Sequence, residues 1–389
     1  MTTSAAVGGI LVSTSPMNSS ILQAAEAIEA HRGDIAKRRF TIGFDGFVDE
    51  IIHAVSTRQS QNEFARISTI TEFSQRIASA AGKSANIELV PVLEKAGGNG
   101  PLMAMAVAGM GADVTCVGLM GFPDLHPVFK PLLDLGKVIS VGNPGHTDAL
   151  EFMDGKLMLG KLHTIKDMNW ARLMQVVGEK NFKDLLLSSD MVACTNWTML
   201  TEMEEIFNQL IQMIPKGSPL TFFFDFADPE KRDRRDLETV LGQITAMNGC
   251  GRSVLGLNLR EAEQVSEVLG LAEQPDESVA GIEAAARRIR EKLGIHAVVV
   301  HGIKSAGASV KGESAGIAGP YCAKPKLSTG AGDHFNGGFT TGLMGGLNVR
   351  DSLYSGVGAS GWYVRNAKSP RLDDVVELLR QWGQGRLAD

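Results

Sequence analysis

In its second half the chain alternates short apolar runs with stretches of helical periodicity, and few folds accept that pattern. The runs at 191–195, 220–226, 254–257 and 297–301 are apolar almost throughout, not at every second position. A strand that is apolar on both sides must be covered on both sides, which is the condition of a parallel sheet between helices. The first half adds a helix at 19–36, with Ile21, Leu22, Ala25 and Ile28 on one face, and a strand at 40–44 that Asp45-Gly46 stops. Strand patterns recur at 48–55, 87–93 and 114–119, and a helix of small residues at 102–110. A hairpin is expected at 148–161, where Asp154-Gly155 is a turn signal. The 389 residues suffice for a large α/β domain and a small accessory one. There is no repeat and no proline-rich linker, so the small domain is expected to grow from loops of the first half.

Composition removes several classes of function. A formal net charge of −6 argues against a general nucleic-acid binder. No stretch offers the roughly 20 apolar residues of a membrane span. Met1 to Ser15 lacks the basic start of a signal peptide, so a cytoplasmic location is expected. Cys116, Cys194, Cys250 and Cys322 form no C-x-x-C pair, which points to free thiols and away from zinc.

The stretch Ser328-Thr329-Gly330-Ala331-Gly332-Asp333 precedes a helical pattern through Phe339 and Leu343. A helix start presents unpaired N–H groups and the positive end of the helix dipole, and small residues let a ligand approach that backbone. A carboxylate in the first turn faces the same ligand. Phosphoryl transfer needs both parts: donors for the charge on the transferred group and a base for the attacking hydroxyl. A capped, glycine-rich helix start with no ligand would look the same over these residues alone.

Gly330 to Asp333, with Phe335, Gly338 and Phe339, resemble the second signature of the ribokinase-like (PfkB) carbohydrate kinases, and further motifs follow in the family's order. Gly97-Gly98-Asn99 and the small-residue helix after it resemble the first signature. Asn258-Leu259-Arg260-Glu261 resembles the N-x-x-E motif, and 298–302 with Gly307 resembles the strand and glycine turn beside the nucleotide. Gly356 to Ala359 stand where relatives pack a helix near adenine. The likeness runs from about 38 to 366.

The resemblance implies a three-layer α/β/α sandwich with a mostly parallel central sheet and a small β-sheet lid. The expected division is an extension and helix over 1–37, then a kinase domain over 38–389. The lid would be drawn from about 46–56, 84–95, 114–119 and 148–162. It also implies ATP-dependent phosphorylation of a carbohydrate hydroxyl with Mg2+. Asp333 would be the base, and Gly330, Ala331 and Gly332 the anion hole. Asp45, Asp49, Gly97, Gly98 and Asn99 would meet the substrate. Asn258, Gly302, Thr329 and Gly358 would meet the nucleotide, and Glu261 would organise the metal. A homodimer through the lid is implied as well. A nucleoside kinase of the same fold, or a sugar-binding regulator without catalysis, are the rival readings.

The chain departs from the family at three points. Asn99 directly follows the glycine pair. Leu327-Ser328 replaces the acid that begins the second signature, which removes a monovalent-cation ligand. Asp225 to Arg232 stand in for the usual D-x-N-x-x-R. His301 and His334 are each read more readily as structural than as chemical, whereas Trp197 suits packing on a sugar ring and packing in the core equally.

Overall fold

A computed structural model describes residues 16–388. Read along the chain, the strands are β1 (Arg39–Gly43), β2 (Phe47–Arg58), β3 (Phe64–Arg66), β4 (Leu89–Gly97), β5 (Asp113–Gly118), β6 (Lys137–Ser140) and β7 (Gly145–Glu151). Then follow β8 (Lys156–Lys161), β9 (Met191–Cys194), β10 (Thr221–Asp225), β11 (Arg252–Asn258), β12 (Ala297–His301), β13 (Ser305–Val310) and β14 (Glu313–Ala318). Nine of them form a central sheet in the order β14-β13-β12-β11-β10-β9-β1-β5-β6. It is parallel from β12 to β6, and β13 and β14 extend it antiparallel.

The strands are apolar throughout because successive residues enter two different cores. Phe222 and Phe224 of β10, with Val298 and Val300 of β12, pack toward the helices Met203–Met213 and Val279–Leu293. Phe223, Ala297 and Val299 pack the other way, toward Ala331–Gly345 and Val349–Asn366. This is the three-layer α/β/α sandwich that the alternation implies. The helix Pro16–Ala30 belongs to it: Ile21, Ala24, Ala25 and Ile28 are buried in the second of these cores, and Leu22 meets Gly383 of the C-terminal helix Leu372–Gly383. It is thus integral to the domain and not an appendage. The loose segment expected before it lies, up to residue 15, outside the described residues.

A second sheet joins β4, β2, β7 and β8, with β3 on the far end of β2. Its own small core contains Ile52, Ala54, Ile67, Phe73, Leu150 and Phe152. Segments 46–56, 84–95 and 148–162 contribute to it, but 114–119 does not. That segment is β5, paired in parallel with β1 from Arg39↔Asp113 to Gly43↔Val117, inside the central sheet. The hairpin turn also sits one residue earlier than the Asp154-Gly155 pair suggests, since the N–H of Phe152 donates to the carbonyl of Gly155 at 2.9 Å. The four cysteines are free, and three of them are buried. No helix among the described residues is long and apolar enough to cross a membrane.

Candidate active site

The parallel strands end together, and the candidate residues gather at their carboxyl ends, where open α/β sheets bind ligands. Asp45 follows β1, Asn196 follows β9, Asp225 closes β10, Asn258 closes β11 and His301 closes β12. Three non-glycine residues at this edge, Asn196, Ala227 and Asp228, hold positive φ of 58°, 60° and 68°. Left-handed backbone of this kind costs about 1–3 kcal/mol per residue and is kept where the surroundings enforce it.

The glycine turn begins the helix Ala331–Gly345. Gly330 sits at φ 95°, and a Cβ there would lie 2.8 Å from Leu102 Cδ1 and 3.0 Å from the Tyr363 hydroxyl, so no other residue suits the position. The N–H of Ala331 donates to Ser328 at 3.1 Å, whereas those of Gly332 and Asp333 meet no acceptor among the described residues. Two first-turn donors therefore remain for an anion. Asp333 is 8% exposed and accepts from Asn99 Nδ2 at 2.8 Å. Burial holds its carboxyl well above the usual carboxylate range, and the charge of Asp45 pushes the same way. The Asn99 hydrogen bond and the positive charge of Lys95 oppose them.

A cavity of about 740 Å³ opens beside this turn. Asn258, Gly302, Ala331 and Gly332 line it, together with the apolar Pro320, Val357, Gly361 and Val364. That combination suits a molecule with a flat apolar end and an anionic one. Gly302 and Asn258 thus both line this cavity. Gly358 does not: a Cβ on it would meet Val375 and Leu379, so it faces the C-terminal helix and the interior. Thr329 turns its carbonyl to the Tyr363 hydroxyl at 2.9 Å, and its neighbour Ser328 lines the cavity.

Asp225 and Glu261 form an acid corner next to Asp333. Burial raises both, and for Asp225 the neighbouring charges of Glu261, Asp333 and Asp45 raise it further. Asp225 Oδ1 accepts from Asn336 at 3.3 Å, while Oδ2 is buried with no partner among the described residues. Glu261 has a local task as well. It accepts from the Asn258 and Asp228 N–H groups at 2.8 and 2.9 Å, closing a capping box in which Asn258 accepts from Glu261 N.

On the other side, Asp45 is sealed. It is 0% exposed and accepts from the N–H groups of Asn99 and Gly100 at 2.8 and 2.7 Å, from Asn196 Nδ2 at 2.7 Å and from Thr195 Oγ1 at 3.3 Å. Three N–H donors of the chain hold the carboxylate, while the single Thr195 hydroxyl proton is shared with Gly43 O at 3.0 Å, so Asp45 clamps the start of the helix Asn99–Gly109 and is satisfied by the chain itself. Asp49, two residues into β2, is the carboxylate on the lid. Its group lies over Gly97, where a Cβ would come within 2.6 Å of it. Gly98, at φ 92°, sits against Asp45 Oδ2 and turns the chain so that Asn99 reaches both Asp45 and Asp333.

The two histidines of this region differ. His334 bonds Gly330 O at 2.7 Å and Ser369 Oγ at 2.8 Å and stacks 3.7 Å from Tyr363, so it is a packed structural group. His301 faces the cavity, its ring against Gly332. Burial lowers both to about 4 and keeps them neutral. Trp197 is core: its Nε1 donates to Glu204 at 2.9 Å, and Phe226 and Arg232 cover its ring. Lys95, a half-buried residue whose covered ammonium lies beside Asp49, carries no sequence motif and was not expected.

A parallel-sheet sandwich with a β lid, a glycine turn before a helix and an acid at that turn define a sugar kinase of the ribokinase fold. Among solved structures, the ribokinase of Arabidopsis thaliana complexed with ribose and ATP aligns at TM-score 0.61 and 15% identity, over 88% of this chain and 99% of its own. Phosphofructokinase-2 from Escherichia coli, in complex with substrates and products, aligns at TM-score 0.59 and 14% identity, over 88% and 98%. The ketohexokinase of Haloferax volcanii is 28% identical over 354 residues, 90% of this chain and 92% of that one. The family described as prokaryotic ketohexokinase matches residues 18–382, and the chain belongs to it.

Proposed function

We propose that this enzyme transfers the γ-phosphoryl group of ATP to a hydroxyl of a ketohexose, with Asp333 as the base. The observation that supports this most is the placement of Asp333. Its carboxylate is buried at a helix start with two unpaired N–H groups and is held by Asn99 at the junction of the anion-accepting cavity and the lid. The kinship with a ketohexokinase supplies the acceptor class.

In this reading the acceptor hydroxyl gives its proton to Asp333 as its oxygen bonds the γ-phosphorus. The bond from that phosphorus to the β–γ bridging oxygen breaks, and ADP leaves. The raised affinity of Asp333 for a proton brings its range toward working pH, which favours proton transfer in the transition state. The N–H groups of Gly332 and Asp333 stabilise charge on the transferred oxygens. Asp49 accepts hydrogen bonds from sugar hydroxyls, and Asp45 keeps Asn99 in place. Asn258 and Gly302 hold the nucleotide. Magnesium fits the acid corner, where Asp225 and Glu261 would hold it, because the orphaned Asp225 Oδ2 needs a cation; bound there it would neutralise phosphate charge. Closing the lid would exclude water.

The lid also carries exposed Leu89, Val92 and Leu93 on β4 and Met158 and Leu159 on β8, its edge strands. Exposed apolar edges invite pairing, and we place a homodimer contact there. ATP use and buried free thiols suit the cytoplasm.

The test is ADP release with Mg-ATP against ketohexoses, aldohexoses, pentoses and nucleosides, with Asp333→Asn beside the wild type. Strong turnover on a ketohexose, cut by about 10³ in Asp333→Asn with ATP binding kept, is the expected result. Preference for a nucleoside would refute the acceptor. Turnover that survives Asp333→Asn would refute the base.

A further inference from the structure

The acceptor side holds a cation that the steps above do not use. Lys95 of β4 lies directly across from Asp49 of β2, so the two side chains leave the lid on the same face, together with Gly97. Its ammonium stops 3.4 Å from Asp49 Oδ2. The Nζ atom is buried, yet it makes no hydrogen bond among the described residues. An ammonium has three protons to donate, and burying one without acceptors is costly. Groups left in that state are understandable where a ligand completes them. The position is central, since the charge of Lys95 also acts on Asp333. The neighbouring acids on the outer face of the lid, Glu50 and Asp148 with His146, are a separate cluster already met by Lys161, which lies 2.8 Å from Asp148 Oδ1.

We propose that Lys95 is a specificity-determining residue of the acceptor site, donating to a sugar oxygen next to the hydroxyls that Asp49 holds. The inference rests on the ketohexose reading of this site. A carboxylate reads only the protons of hydroxyl groups. With an ammonium beside it, the pair reads protons and lone pairs together, which a deoxygenated position cannot satisfy. Sites built on such bonds discriminate strongly against an analogue that lacks the group. The compact ammonium matters here. A planar guanidinium has another shape and other donor directions, so arginine is no equal replacement.

The experiment compares wild type, Lys95→Met and Lys95→Arg, using D-fructose and its monodeoxy analogues as probes. Binding is read by calorimetry without nucleotide, and turnover by ADP release with Mg-ATP. Lys95→Met is expected to weaken fructose binding and raise its KM by about tenfold or more, with the ATP KM within about twofold. One monodeoxy analogue, lacking the contacted oxygen, should bind wild type and Lys95→Met alike. Lys95→Arg should recover part of the loss and shows that a charged residue at 95 still folds. Fructose binding unchanged in Lys95→Met overturns the proposal. So does an equal loss for every deoxy analogue, since the charge would then act only through Asp49. Wild type that turns fructose over while Lys95→Met matches it sinks Lys95 alone. Wild type that binds fructose but releases no ADP sinks the kinase reading, while the calorimetry still decides Lys95. Wild type that binds no ketohexose ends both.

Discussion

The two sides of this site, proposed above to take the nucleotide and the acceptor, are built in opposite ways. On the nucleotide side each working feature is local in sequence: the turn at 328–333, the capping box at Asn258 and Glu261, the loop after β12. Each is a strand end or helix start whose form follows from a few consecutive residues. The acceptor side is assembled from distant pieces. Asp49 comes from β2, Lys95 from β4, and Asn99 reaches across the chain to Asp333, 234 residues away. Chemistry that needs only backbone N–H groups can be written in a motif. Chemistry that needs side chains at chosen distances depends on sheet register.

That contrast can be broken by substitution. The largest effect should come from Gly330→Ala on the nucleotide side. A left-handed residue with a Cβ pressed on Leu102 and Tyr363 should cost about 1–3 kcal/mol of stability, seen in chemical denaturation, and raise the ATP KM together with it. Unchanged melting and ATP KM would show that the turn tolerates a side chain. Asp49→Asn should leave ATP alone and raise the acceptor KM by about 10–100-fold, because hydrogen bonds to a charged group are lost. An equal change in both KM values would join the two sides that the geometry separates.

The smallest effect sits at their junction and concerns pH. Only ionised Asp333 can accept a proton, and burial raises its pKa, so kcat/KM should fall on the acid side at a pH above the usual carboxylate range. Asn99 donates to the charged form and lowers that pKa. Asn99→Ala should therefore move the acid limb to higher pH, whereas a limb that stays put would place the titrating group elsewhere.

Legibility in the sequence follows the same division. β9, β10 and β12 were readable because each is a short apolar run facing two cores. β13 and β14 were not, since Ser305–Val310 and Glu313–Ala318 are made mostly of small residues with little apolar contrast. β5 looked like lid because its apolar pattern is the same in either sheet, and only its pairing with β1 decides. The sequence favours Asp49 over Asp45, since Val48-Asp49 fits the family's usual pair better, but it does not show that the chain itself already satisfies Asp45. Gly358 shows the matching limit on helices: a glycine announces a close approach but not which face makes it. Lys95 gave no signal at all, being one polar residue on a half-exposed strand whose role depends on what lies across the sheet.

The pairing of Pro16–Ala30 with Leu372–Gly383 sets a condition on how the chain is made. A ribosome releasing about 5–20 residues per second delivers the first helix tens of seconds before its partner. During that interval Ile21, Ala24, Ala25 and Ile28 have only an incomplete core to cover them. Pro16–Ala30 is therefore made well before one of the helices that cover it, and without Leu372–Gly383 part of its apolar face stays uncovered. A protease or chaperone that reads exposed apolar helices would thus discriminate chains in which Leu372–Gly383 is seated from those in which it is not.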